Sequence, residues 1–131
     1  MNDALPTSPT SNDALVVITT TENFTDAERL AHELVARELA ACVQIVPSMT
    51  AIYRWQGKLE HANEALLLIK TTRANYAALA AAIKELHSYE MPEMLALPAT
   101  EVDADYLAWL RASVKSSPLN GPLTSPASNS D

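Results

Sequence analysis

The sequence predicts an α+β fold, with four strands and two main helices alternating as β-α-β-β-α-β before a last short helix. Three observations carry it. The stretch 41–72, ACVQIVPSMTAIYRWQGKLEHANEALLLIKTT, reads as two long strands, Cys42 to Trp55 and Lys58 to Thr71, joined at Gln56-Gly57, where glycine supplies the freedom a tight hairpin needs. Apolar residues recur at helical spacing on both sides of that stretch. A short β-branched run stands before the first helix, and a Pro-bounded apolar run follows the second.

In chain order, Ala14 to Thr20, ALVVITT, fits a strand buried on both faces. Thr25 with Glu28 matches a capping box, in which hydroxyl and carboxylate satisfy the free backbone donors of a helix start. Ala27, Leu30, Ala31, Leu34, Val35 and Leu39 then form one stripe of a helix expected over about 26–40. His32, with Glu28 and Glu33, falls on its solvated side.

Each long strand has about fourteen residues, and at about 3.3 Å per residue the hairpin extends roughly 45 Å. Its outer half, carrying Met49, Ile52, Tyr53 and Trp55, must project beyond so short a chain. An isolated apolar ribbon of two strands is unstable and prone to aggregation, so a second copy of the chain is the expected cover. Pro47 cannot donate to a ladder and marks an edge, bulge or bend.

Thr72 caps a second helix expected over about 73–87, with Tyr76, Leu79, Ala80, Ile83 and Leu86 on its packing side. HSYEMPE (87–93) is a loop, because Pro92 forces an extended conformation on Met91. Met94 to Ala99 reads as a short strand, and Asp103 caps the last helix, packed through Tyr106, Leu107, Leu110 and Val114. Two β-α-β units with right-handed crossovers fold most simply into a ferredoxin-like antiparallel sheet with both main helices on one face. The other face then needs a cover, and a second subunit is the expected one, with the last helix as a further contributor at the edge.

Composition narrows the function. An apolar share of 48% fits one globular domain, expected over 13–115 between disordered Pro- and Ser-rich tails at 1–12 and 116–131. The net charge of -7 with scattered Lys and Arg excludes nucleic acid as the natural partner and favours cationic guests. One cysteine permits no intrachain disulfide. The first thirteen residues have neither the basic residues nor the apolar run of a secretory leader, and no span of membrane length follows, so a soluble cytoplasmic protein is expected. With glycine only at 57 and 121 there is no phosphate-cradling loop, and no nucleophile motif is legible, so no enzyme is expected.

The segments 39–60, 64–72, 87–98 and 105–110 resemble the CutA family of divalent-cation tolerance proteins. The shared features are an Ala-Cys at the head of a long strand, a Tyr-x-Trp-x-Gly hairpin tip, a Lys-Thr-Thr strand end and a Tyr-Glu-x-Pro-Glu loop. The resemblance covers about 14–114. It implies a homotrimer of ferredoxin-like subunits whose hairpins wrap their neighbours, and a role in divalent-metal tolerance. It is also similar in architecture to trimeric PII proteins, which implies as the alternative a sensor or adaptor taking a small ligand.

The family's copper ligands, a cysteine ending the first strand and two adjacent histidines, fall here on Thr19 and Leu86-His87, so one of the three is retained. His87 and Glu90 are therefore the candidate ligands for Cu(II) or another divalent ion, with a solvent-exposed capping histidine as the other reading. By the same resemblance Cys42, Tyr53, Trp55, Lys70, Tyr89 and Glu90 line an intersubunit cleft, or pack an interface in which Lys70 and Glu90 pair. Cys42 alone reads as a small core residue. His61 and Glu64 lie on opposite strand faces, and Glu60 and Glu64 read as solvated edge charges.

Overall fold

The computed structural model describes residues 13–116. Apart from Ser116, the two tails expected to be disordered lie outside the described residues. The elements are β1 (Ala14–Thr21), α1 (Phe24–Ala36), β2 (Cys42–Trp55), β3 (Lys58–Thr72), α2 (Tyr76–Leu86), β4 (Leu95–Pro98) and α3 (Ala104–Ala112). The strands form one antiparallel sheet in the order β2-β3-β1-β4, as the predicted topology requires.

The hairpin turns as its sequence demands: Gln56 and Gly57 both take positive φ, 52° and 80°, matching the right-handed twist of the strands. Its first strand is an edge of the sheet, so Pro47 costs no inner ladder bond.

Helix boundaries moved for local reasons. Asn23, not Thr25, caps α1: its Oδ1 accepts the Asp26 N–H at 2.8 Å, and the helix begins at Phe24. Asn ranks above Thr as a cap because its carbonyl reaches the free N–H groups from extended backbone. The helix ends at Ala36, short of the expected residue 40, because Glu38 turns left-handed at φ 61° and the Leu39 and Ala40 N–H groups both return to the Leu34 carbonyl. Val35, expected on the packing side, is exposed.

Thr72 does not cap α2. Its hydroxyl accepts from Asn75 Nδ2 at 2.9 Å, a 3-10 turn spans Arg73–Asn75, and the α-helix starts at Tyr76. In α3 the expected cap is present, with Asp103 accepting the Tyr106 N–H at 3.0 Å. Leu110 and Val114 close a small second cluster with Ala14 and Ala41, whereas Tyr106 stays exposed.

Period-two alternation divides the sheet into two unlike faces. Leu15 and Val17 of β1 and Ala65, Leu67 and Ile69 of β3 are buried against Ala27, Leu30 and Leu34 of α1 and Leu79, Ala82 and Ile83 of α2. The intervening residues Val16, Ile18, Leu66 and Leu68 point away from both helices and are only half-buried. Beside them Leu95, Leu97 and Val46 are 55%, 49% and 40% exposed, so an apolar sheet face lies open in a single copy.

One core group stands out on the helix side. Thr19 is fully buried, and among the described residues its hydroxyl has no hydrogen-bond partner. Thr71 on the same face donates to the Leu39 carbonyl at 2.7 Å. An unpaired buried hydroxyl costs stability, and valine has nearly the same shape. Thr19→Val is expected to raise stability by about 1 kcal/mol in urea unfolding. A lower midpoint in the variant would contradict that account of the hydroxyl.

Candidate functional site

One extra residue in β2 decides which side chains can meet. Val46 pairs with Leu66, but Met49 pairs with Glu64, so a bulge at 47–48 shifts the parity of the strand. Before it, Cys42, Gln44 and Val46 share the outer face with Lys70, Leu68 and Leu66; after it, Met49, Ala51, Tyr53 and Trp55 take that face opposite Glu64, Ala62, Glu60 and Lys58. The bulge thereby puts Tyr53 and Trp55 on the same side as Glu64.

The 87–93 loop is bolted over this face by its first residues. His87 ends α2 with its backbone N–H on the Ile83 carbonyl. Its Nδ1 accepts the Tyr89 N–H at 2.9 Å and its Nε2 meets the Thr20 carbonyl, so the ring is held as the Nε2–H tautomer. The Tyr89 ring lies against the imidazole, 4.8 Å between centroids, and its hydroxyl donates to Glu64 Oε2 at 2.7 Å. Burial, then that bond to a carboxylate, raises the Tyr89 phenol well above the ordinary tyrosine range, so it stays a neutral donor.

Between arm and loop opens a cleft of about 710 Å³, whose walls include Thr20, Ala51, Tyr53, Trp55, Tyr89 and Met91. Its charged lining residues are Glu64, Glu90 and Glu93, with no Lys or Arg among them. The field inside favours a cation.

The structure divides the residues that the sequence grouped. Tyr53, Trp55, Tyr89 and Glu90 come together in this cleft. Within one copy Cys42 and Lys70 do not: they pair across β2 and β3 at the far end of the outer face, because Cys42 begins β2 and Lys70 lies near the end of β3, at the opposite end of the ribbon from Tyr53 and Trp55. There, within one copy, Lys70 donates to Gln44 Oε1 at 2.9 Å. Cys42 Sγ lies 3.9 Å from the Tyr106 hydroxyl.

His87 and Glu90 are also parted. His87 faces a separate small hollow, of about 60 Å³, with Thr21, Asp26, Arg29 and Glu33, and both its nitrogens are engaged. Among the described residues, no three His, Cys, Asp or Glu side chains gather as a metal cluster. His61 stands away from the cleft in a shallow depression with Ser48, Thr50 and Asn63.

Glu64 and Glu93 are cleft residues that sequence reasoning did not assign. Glu93 lies within the Tyr-Glu-x-Pro-Glu loop, which was the available signal. Glu64 reads as an edge charge until the bulge is known. No helix among the described residues is long and apolar enough to cross a membrane.

Over residues 15–113 the chain matches the family described as CutA1 divalent ion tolerance protein. The Divalent-cation tolerance protein CutA of Citrobacter koseri is 42% identical over 103 residues, covering 79% of this chain and 90% of the relative. The solved structure of the divalent cation tolerance protein from Thermus thermophilus is 44% identical, with a TM-score of 0.76 over 78% of this chain and 99% of the other. CutA1 from Oryza sativa superposes with a TM-score of 0.79 at 39% identity, covering 81% of this chain and 97% of the other.

Proposed function

Because the chain belongs to the CutA1 family of divalent ion tolerance proteins, we propose that it serves divalent-cation tolerance as a non-enzymatic protein, taking a divalent ion into the acidic cleft between the β2-β3 arm and the 87–93 loop. One observation carries this reading: every charged side chain lining the cleft is a carboxylate. Glu64 already accepts the Tyr89 hydroxyl, which leaves Glu90 and Glu93 as the free oxygen donors of one copy.

Two carboxylates do not complete a coordination sphere, so water or a neighbouring copy fills the rest and binding is weak. Neighbours are at hand in the homotrimer we propose, in which other copies cover the open apolar sheet face. His87 acts here as the bolt of the loop and not as a ligand, since a metal on either nitrogen would break a bond to Thr20 or Tyr89. The alternative, a PII-like sensor gripping an anion through Lys70, has less support, because Lys70 stands outside the cleft among different neighbours.

Calorimetric titration of the full chain tests the reading. Cu(II) and Mn(II) are expected to bind saturably, Cu(II) the tighter by the usual order of divalent ions. Glu90→Gln should weaken both by about tenfold or more. Absence of saturable heat with either ion, or Glu90→Gln without effect, would overturn it.

A further inference from the structure

The 87–93 loop leaves α2 with no regular backbone structure to fix it. Among the described residues, segment 88–93 makes two hydrogen bonds within its own copy, and both belong to Tyr89. The phenol donates to Glu64 Oε2 at 2.7 Å, and the backbone N–H donates to His87 Nδ1 at 2.9 Å. Burial, then the carboxylate, raises the phenol well above the ordinary tyrosine range, so the first bond keeps its proton at neutral and mildly acid pH. The second exists only while Nδ1 carries no proton. Both bonds lie inside one chain and require no open surface.

We propose that His87 is an acid-sensitive latch: when its ring takes a proton from solvent at Nδ1, the bond from the Tyr89 N–H is lost and the start of the loop is released from the end of α2. Imidazole is the side chain that ordinarily changes charge between about pH 5 and 8. In the neutral ring Nε2–H donates to the Thr20 carbonyl and Nδ1 accepts from Tyr89. In the charged ring both nitrogens donate, so the bond to Thr20 survives while two N–H groups oppose each other at Nδ1. The charged groups around the ring come from three directions. Asp26, Arg29 and Glu33 of α1 line the hollow that His87 faces, with Asp26 already paired to Arg29 at 3.1 Å. Tyr89 of the loop lies against the ring, and Glu64 of β3 and Glu22, just past β1, act on the Tyr89 phenol. From β1 and α2 the ring's hollow receives only the uncharged Thr21 and Leu86. The latched form excludes the extra proton and the released form accepts it, so the latch holds at higher pH and is lost as pH falls through the imidazole range. The same loop carries Glu90 and Glu93, and the charge on His87 thereby governs how firmly those carboxylates are held.

Amide hydrogen exchange of the full chain, read by NMR at the Tyr89 N–H and corrected for the pH dependence of free amides, tests the latch. Protection of that N–H is expected to fall by about fivefold or more from about pH 8 to about pH 5.5, the loss of one hydrogen bond. His87→Asn keeps a carbonyl acceptor near the place of Nδ1 but cannot take the charge, so its protection should be the same at both ends of the range. Equal protection of the native chain at both ends would overturn the inference. An equal fall in His87→Asn would overturn it too, because the cause would then be a general effect of acid. If circular dichroism shows that His87→Asn does not fold, the native chain still decides: the ring nitrogen shifts of labelled His87 report its charging, and ring and amide must share one midpoint. Separate midpoints would overturn the latch.

Discussion

Leu68→Glu is expected to yield a folded single copy where the native chain is expected to associate. Leu68 lies between Gln44 and Ile18 on the sheet face that no helix covers, half-buried among Val16, Ile18 and Leu66. Leu95 and Leu97 extend this apolar surface across β4. In a lone copy a glutamate at 68 points into water and costs little. In the proposed trimer it places an unpaired carboxylate in an apolar contact, at several kcal/mol per site, enough to weaken association by more than about a hundredfold. Sedimentation velocity at micromolar chain concentration reads the result directly. An unchanged sedimentation coefficient, with circular dichroism like that of the native chain, would remove this face from the assembly.

The neighbouring residue should behave oppositely. Leu67 is fully inaccessible on the helix side, in the cluster formed with α1 and α2. Truncating it removes the transfer energy of the lost methyl groups and leaves a cavity that rigid neighbours refill only in part, about 3 kcal/mol in sum. That is a large share of the roughly 5–15 kcal/mol that holds a domain of this kind together. Leu67→Ala is therefore expected to lower the urea midpoint sharply while the outer face, and with it association of the chains that remain folded, is unaffected. A loss of association without loss of protomer stability would mean that the two faces have been exchanged.

These two predictions differ by one residue and a change of face, and that alternation was legible early. Ala65 to Ile69 is apolar throughout, so the sequence marked a strand buried on both sides and required a cover beyond the chain's own helices. The Gln56-Gly57 turn, the order of the elements and the Asp103 cap were equally readable, because each depends on residues within a few positions of one another. Helix ends were less so: Asn23 and Thr25 are both competent caps, and the left-handed Glu38 carries no glycine to announce it.

The site was legible in part. Tyr53, Trp55, Tyr89 and Glu90 were grouped through the family resemblance as lining an intersubunit cleft, and within one copy they line one cleft. The same grouping included Cys42 and Lys70, which the sheet carries to its other end.

By itself the sequence determined the long arm, its tight tip, the strand periodicity, the acidic balance and the family, since these are properties of neighbouring residues or of the chain's sum. Only the tertiary structure decided which side of the arm faces the loop. The extra residue at 47–48 reverses the parity of β2, and no count along the strand reveals which face Tyr53 and Trp55 occupy until that offset against β3 is known. The bonds from Tyr89 to Glu64 and from His87 to Thr20 likewise join segments far apart in the chain, and they exist because the packed helices and sheet bring those segments within reach.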